Sequence, residues 1–254
     1  PSPSPSPPPS APPPEPPCVT PAQTDTLLSF GDAVTVRNSN LGGFNSSLPP
    51  TLLYGNVGLD GVTGRPVDME VTNTSYYRPW NVLRNGLNGE FAQINLDAPK
   101  DGTGEQYNIV QLLLRFLDAE TGAPVQLSRF RLSFFDFDQG NEGRAQECLS
   151  TTGYSQIRVA EQPQTQLVQS VGPNDGNFTV FCSTQYGVLA DNPTSPNALT
   201  GHEKSKALEV VYEGLSEVEV RFAVSCCNNA GRNFLVAGES DMTPRCEHPP
   251  SMPP

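Results

Sequence analysis

The feature that most constrains the fold of this chain is an alternation of apolar and polar residues with a period of two. In EVEVRFAVSC, one set of alternate positions is apolar throughout and consists of Val218, Val220, Phe222, Val224 and Cys226. The positions between them are mostly charged, which is typical of a β-strand with one buried face and one solvated face. RFRLSFFDF repeats the pattern and predicts that Phe130, Leu132 and Phe134 point inward.

Further segments of this kind are separated by turn-forming residues. NIVQLLLRFLDAETGAPVQLSRFRL predicts two long strands joined by a turn at residues 121–124, and the other candidates are DAVTV, VDMEVTN, EFAQINL, SQIRVA, TQLVQS, NFTVFCST, ALEVVYE and NFLVAG. Asn-Gly and Asp-Gly clusters such as RNGLNGE and GPNDGN lie between them and favour tight turns. Because no stretch keeps a helical spacing, the sequence predicts an all-β fold, an antiparallel β-sandwich of jelly-roll or Greek-key topology.

The two ends of the chain differ in composition from its body. Residues 1–17 contain only Pro, Ser, Ala and Glu, and residues 243–254 are again rich in proline. We therefore divide the chain into an arm at 1–17, a β-sandwich domain at 18–242 and a tail at 243–254. Proline fixes φ and removes the amide donor, so we expect the arm to form an extended polyproline II segment of about 50 Å. Such a segment serves as a stiff spacer or as a ligand for an aromatic groove.

The charge of the chain excludes some partners. The formal net charge is −12, from 27 acidic and 15 basic residues. Binding to nucleic acid requires clustered Lys and Arg, so we expect no nucleic-acid partner. No apolar run reaches the roughly 18 residues that a membrane span requires, so we expect no membrane insertion.

The cysteines predict disulfide bonds. There are six, namely Cys18, Cys148, Cys182, Cys226, Cys227 and Cys246. An even number without a C-x-x-C pair favours disulfides over a zinc ribbon or a thiol redox site, while the connectivity remains open. Because a ring closed between neighbours is strained, we expect Cys226 and Cys227 to bond to different partners. We also expect a Cys18–Cys246 bond, since both residues lie where a proline-rich end meets the body.

Three N-x-Ser/Thr sequons agree with the cysteines, and they are at Asn45, Asn73 and Asn177. Together they predict a secreted, extracellular protein that carries N-linked glycans. The chain begins at Pro1 without Met, so we expect either that a leader has been removed or that the chain is part of a longer precursor.

Catalytic signatures are scarce in this sequence. His202 and His248 are the only histidines, and neither adjoins a nucleophile motif, which disfavours a Ser-His-Asp site and a histidine-based zinc site. No pair among the 27 acidic residues stands out as the carboxylates of a glycoside hydrolase. We therefore predict no enzymatic activity. Calcium is the one cofactor for which the sequence offers candidate ligands.

FFDFDQGNEGRAQEC contains the strongest polar constellation. Asp136 and Asp138 alternate with Phe134 and are expected on its face of the strand. Two carboxylates placed there repel each other unless a positive group lies between them. A calcium ion with Asp136, Asp138, Asn141 and Glu142 as ligands satisfies that requirement.

A second interpretation of the same stretch needs no metal ion. In it the strand bulges or ends at Phe135, and the two aspartates cap turn amides or pair with a nearby arginine. The candidates for that pairing are Arg129, Arg131 and Arg144. The sequence leaves both interpretations open.

SYYRPWN groups Tyr76, Tyr77 and Trp80, the only tryptophan. Such a cluster is able to stack sugars or proline rings, and it is also typical of the edge of a sandwich, where the polar ends of Tyr and Trp reach the rim. We consider these three residues as candidate contacts for the arm or for a sugar.

SPSPSPPPSAPPP resembles the hydroxyproline-rich modules of green-algal and plant extracellular glycoproteins. A cysteine-bearing domain on such a rod is similar in plan to pherophorin-type matrix proteins and to mastigoneme-like surface filament proteins. The resemblance implies a structural role in a wall, matrix or surface fibre. It also implies prolyl hydroxylation and arabinose- or galactose-type O-glycans on the arm, at Ser2, Ser4, Ser6, Ser10, Pro3, Pro5, Pro7, Pro8 and Pro9.

Two hypotheses for function follow. In the first, the chain is a structural subunit of an extracellular matrix or fibre and binds copies of itself head to tail, with its arm docked on a neighbour. In the second, the body is a calcium-dependent carbohydrate-binding module on a glycosylated stalk.

Overall fold

A computed structural model describes residues 22, 24–161, 164–171, 178–188, 192–228 and 230–242. Within these residues the chain forms two antiparallel sheets that pack as a sandwich, as the sequence predicts. The arm and the tail lie outside the described residues. Among the described residues, no helix is long and apolar enough to span a membrane.

Strands and helices are numbered here in chain order. The first sheet contains, in spatial order, β1 (Thr35–Ser39), β2 (Leu52–Leu59), β3 (Pro66–Asn73), β6 (Tyr107–Asp118), β13 (Glu217–Ser225), β8 (Glu147–Thr151), β11 (Thr179–Ser183) and β10 (Leu167–Val171). The second sheet contains β4 (Gly86–Asn88), β5 (Phe91–Leu96), β14 (Arg232–Ala237), β7 (Leu127–Phe135), β12 (Leu208–Leu215) and β9 (Gln156–Val159). The helical elements are α1 (Gly201–Ser205) and two 3₁₀ turns, Val82–Arg84 and Asn141–Gly143.

The path of the chain crosses repeatedly between the sheets. From β5 to β9 each successive strand belongs to the opposite sheet, and β12, β13 and β14 alternate in the same way. β6 and β7 are therefore joined by the predicted turn without forming a hairpin, because they lie in different sheets. Such crossovers distinguish the fold from a meander.

The alternation in EVEVRFAVSC has the predicted consequence. Val218, Val220, Phe222 and Val224 are buried in the core between the sheets. Cys226, the last residue of the apolar set, is only half-buried, because β13 ends at Ser225. Aromatic rings join the two layers, since Phe222 stacks on Phe234 of the other sheet with ring centroids 4.2 Å apart.

The strand β7 of the second sheet is largely buried on both faces. Phe130, Leu132 and Phe134 of β7 point into the main core as predicted, yet Phe135 and its neighbours on the opposite face are buried too. That face is covered by the segments around Leu199 and around Ser240. The solvated face expected from the alternation is therefore absent from this strand.

The structure describes two disulfides. Cys148 and Cys182 are directly opposite on β8 and β11 and are bonded, with Cα atoms 4.1 Å apart. Cys226 and Cys227 are bonded to each other, so the expectation of different partners is wrong. The peptide bond between them is cis, and their Cα atoms are 3.0 Å apart. Cys18 and Cys246 lie outside the described residues, and their pairing stays a prediction.

Candidate functional site

The two predicted aspartates meet at the end of β7. The strand ends at Phe135, and Asp136 adopts a left-handed backbone with φ of 65°. This residue interrupts the alternation, so the shared strand face does not bring the aspartates together. Both nevertheless line one cavity of about 540 Å³.

The positive group beside Asp138 is Arg232, from the start of β14. Its Nη1 lies 2.9 Å from Asp138 Oδ1, and its Nε lies 3.6 Å from Glu147 Oε1. Glu147 Oε2 also accepts a hydrogen bond from the Asp138 amide at 3.3 Å. The strand thus ends where the second interpretation placed it, but the arginine comes from another part of the chain.

The three arginines considered from the sequence pair elsewhere. Their acidic partners are Asp25 and Glu213 for Arg129, Glu209 and Glu239 for Arg131, and Asp101 and Glu142 for Arg144. None of these ion pairs reaches the cavity that contains the two aspartates. Arg232 lies roughly a hundred residues further along the chain, and nothing in the sequence singles it out.

Glu147 is a strongly perturbed acid in this cavity. It is 3% exposed, and burial raises its pKa well above the usual 4.5. The negative charges of Asp138 and Asp136 raise the pKa further, while the Arg232 guanidinium opposes the rise. Glu147 therefore keeps its proton at a higher pH than an ordinary glutamate does.

The remaining lining of the cavity combines backbone, amides and an aromatic ring. It consists of Tyr186, Gly187, Val188, Asn192, Gly231 and Asn233. Gly187 lies directly against Asp138, so a Cβ at this position would overlap the carboxylate. Gly231 is packed against Trp80 in the same way. The two glycines thus permit the close approach of neighbouring side chains.

Asn141 and Glu142 are separated from the aspartates. Both are exposed in the 3₁₀ turn Asn141–Gly143, and Glu142 pairs with Arg144 at 3.4 Å. Asn141 lines a different cavity of about 260 Å³, together with Arg144 and Cys227. The structure therefore replaces these two residues with Glu147 beside Asp136 and Asp138, and the calcium ion stays a prediction.

One group in the described residues has three metal-ligand atoms close together. It consists of Asp101, Cys226 and Cys227, and it lies at the second cavity. Both sulfurs are engaged in the disulfide. Cysteine binds a metal ion as a thiolate, so neither sulfur is available as such a ligand while the disulfide is intact.

The aromatic cluster divides between core and surface. Tyr77 is buried, and its hydroxyl lies 2.9 Å from Asn85 Oδ1 and 2.6 Å from the Asn95 carbonyl oxygen. Tyr76 is 78% exposed, and Trp80 is 46% exposed with the Arg84 guanidinium 5.5 Å from its ring. Only Tyr76 and Trp80 are therefore accessible as contacts for an arm or a sugar.

Exposed apolar side chains concentrate around this cluster. Eight of the seventeen large apolar side chains that are exposed in the described residues lie in the segments 36–48 and 76–87. We call this set the edge patch, and it consists of Val36, Phe44, Leu48, Tyr76, Trp80, Val82, Leu83 and Leu87.

The two segments of the edge patch are joined to each other. Ser39 Oγ donates to the Asn85 carbonyl at 3.0 Å, and the Phe44 and Tyr77 rings are 6.3 Å apart. β1 and β4, the outermost strands of the two sheets on this side, are in contact there. The patch therefore marks one open edge of the sandwich.

The sequons differ in their surroundings. Asn45 is exposed, whereas Asn73 is half-buried and its amide donates to the Ser75 carbonyl at 2.9 Å and accepts from the Gly42 amide at 3.1 Å. Asn177 and the serines and prolines of the arm lie outside the described residues. Glycosylation at the three sequons and on the arm stays a prediction.

His202, one of the two histidines considered in the sequence, lies on α1.

Comparison with known proteins yields only distant structural likeness. The chain matches no protein-family profile and no curated protein. It is similar to the N-terminal domain of the Streptococcus gordonii adhesin Sgo0707, with 12% identity and a TM-score of 0.48, over 86% of this chain and 61% of that chain. It is also similar to the adhesin domain of PrgB from Enterococcus faecalis bound to DNA, with 11% identity and a TM-score of 0.43, over 74% of this chain and 66% of that chain.

A second structure of the PrgB adhesin domain gives the same picture, with 11% identity and a TM-score of 0.41, over 75% of this chain and 63% of that chain. The chain thus spans less than two thirds of the length of each of these proteins. At such identities the likeness concerns the arrangement of strands alone and carries no argument about ligands.

Proposed function

We propose that this chain is a structural subunit of an extracellular matrix or surface fibre that binds copies of itself head to tail. The proline-rich arm of one copy docks on the edge patch of the next. The observation that supports this proposal is the concentration of exposed apolar side chains at one open edge of the sandwich. A monomer rarely keeps a large apolar patch exposed without a binding role.

The arm has the chemistry that such a patch accepts. A polyproline II segment has no internal hydrogen bonds and presents proline rings at a regular spacing. Because its φ angles are already fixed, it loses little conformational entropy on docking. Exposed Trp80 and Tyr76 offer rings against which prolines pack, and Leu83, which is 88% exposed, adds apolar area beside them.

The contact propagates because donor and acceptor are different surfaces of one subunit. Such heterologous contacts form filaments unless the rotation between copies closes a ring. The Cys148–Cys182 disulfide and the exposed sequon at Asn45 support an oxidising, secretory origin. Hydroxylation and O-glycosylation of the arm, which the algal resemblance implies, belong to this proposal.

Assembly of the full chain tests the proposal directly. Sedimentation velocity is measured for the full chain, for a variant lacking residues 1–17, and for Trp80→Ser combined with Leu83→Ser. We expect the full chain to form polymers and both variants to remain folded monomers. Leu59→Ser, at another exposed apolar position, is the matched control and is expected to assemble normally.

A synthetic peptide of residues 1–17 completes this test. It is expected to bind the arm-deleted chain and to inhibit assembly of the full chain. If the truncated chain forms the same polymers as the full chain, or if the full chain is monomeric at high concentration, the proposal is wrong.

A carbohydrate-binding module is the second candidate function. It is favoured by the single cavity in which Asp136, Asp138 and Glu147 converge. The sequence-based form of this hypothesis requires calcium. A glycan array probed with and without a chelator tests it, and an array without any bound glycan would exclude it.

A further inference from the structure

We propose that the cavity lined by Asp136, Asp138, Glu147 and Arg232, the acidic cavity, binds a neutral sugar ring through direct contacts, without a bridging metal ion. The inference rests on the second candidate function and is independent of assembly through the edge patch. It names the ligand class and the residues that hold it.

The size and depth of the acidic cavity suit a small organic ligand. Its volume of about 540 Å³ lies within the range of about 300–1,000 Å³ that is usual for ligand sites. Glu147 and Asp138 are 3% and 7% exposed, so the surrounding protein, and not solvent, fixes the positions of their carboxyl groups. A buried polar wall of this kind is costly unless its groups have defined partners.

The charges of the lining narrow the ligand class. Three carboxyl groups face one guanidinium there, which disfavours an anionic ligand. Arg232 Nη1 lies 2.9 Å from Asp138 and Nε lies 3.6 Å from Glu147, so a cation already occupies the position between these two acids. The polar lining equally disfavours an apolar ligand, because the carboxylates would lose hydration without gaining a partner.

A neutral ligand with many hydroxyl groups satisfies the same lining. A hydroxyl both donates and accepts, so it can donate to the carboxylates and accept from the Arg232 guanidinium. The amides of Asn192 and Asn233 offer both functions at the cavity wall. The Tyr186 ring, which is 54% exposed, provides an apolar face for the C–H groups of a sugar ring.

The site is also preorganised. Gly187 allows the backbone to lie against the Asp138 carboxylate, and the ion pair with Arg232 fixes that carboxylate from the other side. The Lys206 ammonium donates to the Tyr186 carbonyl at 3.1 Å and thereby holds the segment that carries the ring. Little ordering is therefore required on binding.

Isothermal titration calorimetry of the full chain with neutral monosaccharides tests the proposal. The probes are glucose, galactose, mannose, arabinose and xylose, and the matched acidic and basic probes are galacturonic acid and galactosamine. We expect at least one neutral sugar to bind, with the same affinity in calcium and in excess chelator. We expect galacturonic acid to bind at least about tenfold more weakly than galactose if galactose is the sugar that binds, because the lining carries excess negative charge.

Two variants assign the binding to this cavity. Asp136→Asn preserves the size of the side chain, and asparagine tolerates the left-handed backbone of this position. The variant is expected to raise the Kd about tenfold, because a charged hydrogen-bond acceptor is lost. Tyr186→Ala is expected to raise the Kd several-fold while its backbone contact to Lys206 is retained. Asp101→Asn, at the second cavity, is the matched control and is expected to leave the Kd unchanged.

Each other outcome overturns a different claim. Binding that is lost in chelator contradicts direct contact and supports the calcium-dependent form. Binding that persists unchanged in both variants places the sugar elsewhere and contradicts this assignment alone. Absence of binding to every sugar contradicts both the inference and the second candidate function, while the polymer proposal is decided by its own assembly experiment.

Discussion

At the residue scale, Glu147 determines how the acidic cavity responds to pH. It faces Asp138, Asp136 and Arg232, and its charged form is stabilised by the Arg232 guanidinium and by the hydrogen bond from the Asp138 amide. A carboxyl group whose folded pKa lies above its unfolded value contributes stability below the unfolded value. That contribution is lost as the pH rises through the folded pKa.

We therefore expect the free energy of unfolding of the wild-type chain to fall over a pH interval that begins near 4.5, the ordinary pKa of a glutamate, and extends upward, by up to about 1.4 kcal/mol per pH unit from this group. Glu147→Gln removes the titration and is expected to flatten the dependence in that interval. Urea denaturation at a series of pH values measures it.

Asp118→Asn is the control for this prediction. The Asp118 pKa is lowered to about 2, chiefly by the hydrogen bond from the Thr121 amide, with Arg65 adding to it. The stability from Asp118 is thus lost as the pH falls from 3.8, the ordinary value, through about 2, and it is constant in the tested interval. A Glu147→Gln variant as pH-dependent as the wild type would contradict the role given to Glu147.

At the scale of elements, the Cys148–Cys182 disulfide links the short strands β8 and β11. β8 lies between β13 and β11, and β10 continues the sheet beyond them. The strands at this end of the first sheet are five residues long, whereas β6 has twelve. Because short strands make few ladder hydrogen bonds, a covalent link compensates at this end of the sheet.

Replacing both Cys148 and Cys182 with Ala is expected to lower the free energy of unfolding by about 3–4 kcal/mol, since the bond closes a loop with a sequence separation of 34. Chemical denaturation monitored by the single tryptophan measures the effect. The matched control replaces Cys226 and Cys227, whose separation is 1, and is expected to change stability far less. Equal losses in the two double variants would show that loop closure is not the source of stabilisation.

At the scale of the whole molecule, an apolar edge patch is combined with a net charge of −12. Copies of such a chain repel one another at long range, while an arm–patch contact between them is apolar and acts only at short range. The balance between the two depends on ionic strength, because salt screens the repulsion and leaves apolar contact largely intact.

Assembly of the full chain is therefore expected to increase with sodium chloride concentration from about 20 mM to about 300 mM, as the Debye length shortens from tens of ångströms to less than about 10 Å. Light scattering at constant protein concentration measures it, with the arm-deleted chain as the control. Polymers that dissolve as salt is added would instead indicate that ion pairs hold the copies together.

The sequence by itself determined that the fold is a sandwich and which side chains of strands such as β13 point inward. An alternation of period two is a local property, and burying one apolar face requires only another layer above it. The same reasoning missed β2 and β8, because they lack a clean alternation, and it assigned the residues of β4 to a turn. It also missed the second buried face of β7. Whether an outer face meets solvent or a covering segment is decided by residues that lie far away in sequence.

The acidic cavity shows the same division. The stretch FFDFDQGNEGRAQEC drew attention to Asp136 and Asp138, which line one cavity, and it contains Glu147 as well. Tertiary structure alone decided that Arg232 is the cation beside Asp138 and Glu147, because β14 lies next to β7 only when the sheets have formed. It likewise decided that Tyr77 is buried while Trp80 stays exposed, since burial depends on which elements pack above a residue and not on its neighbours in the chain.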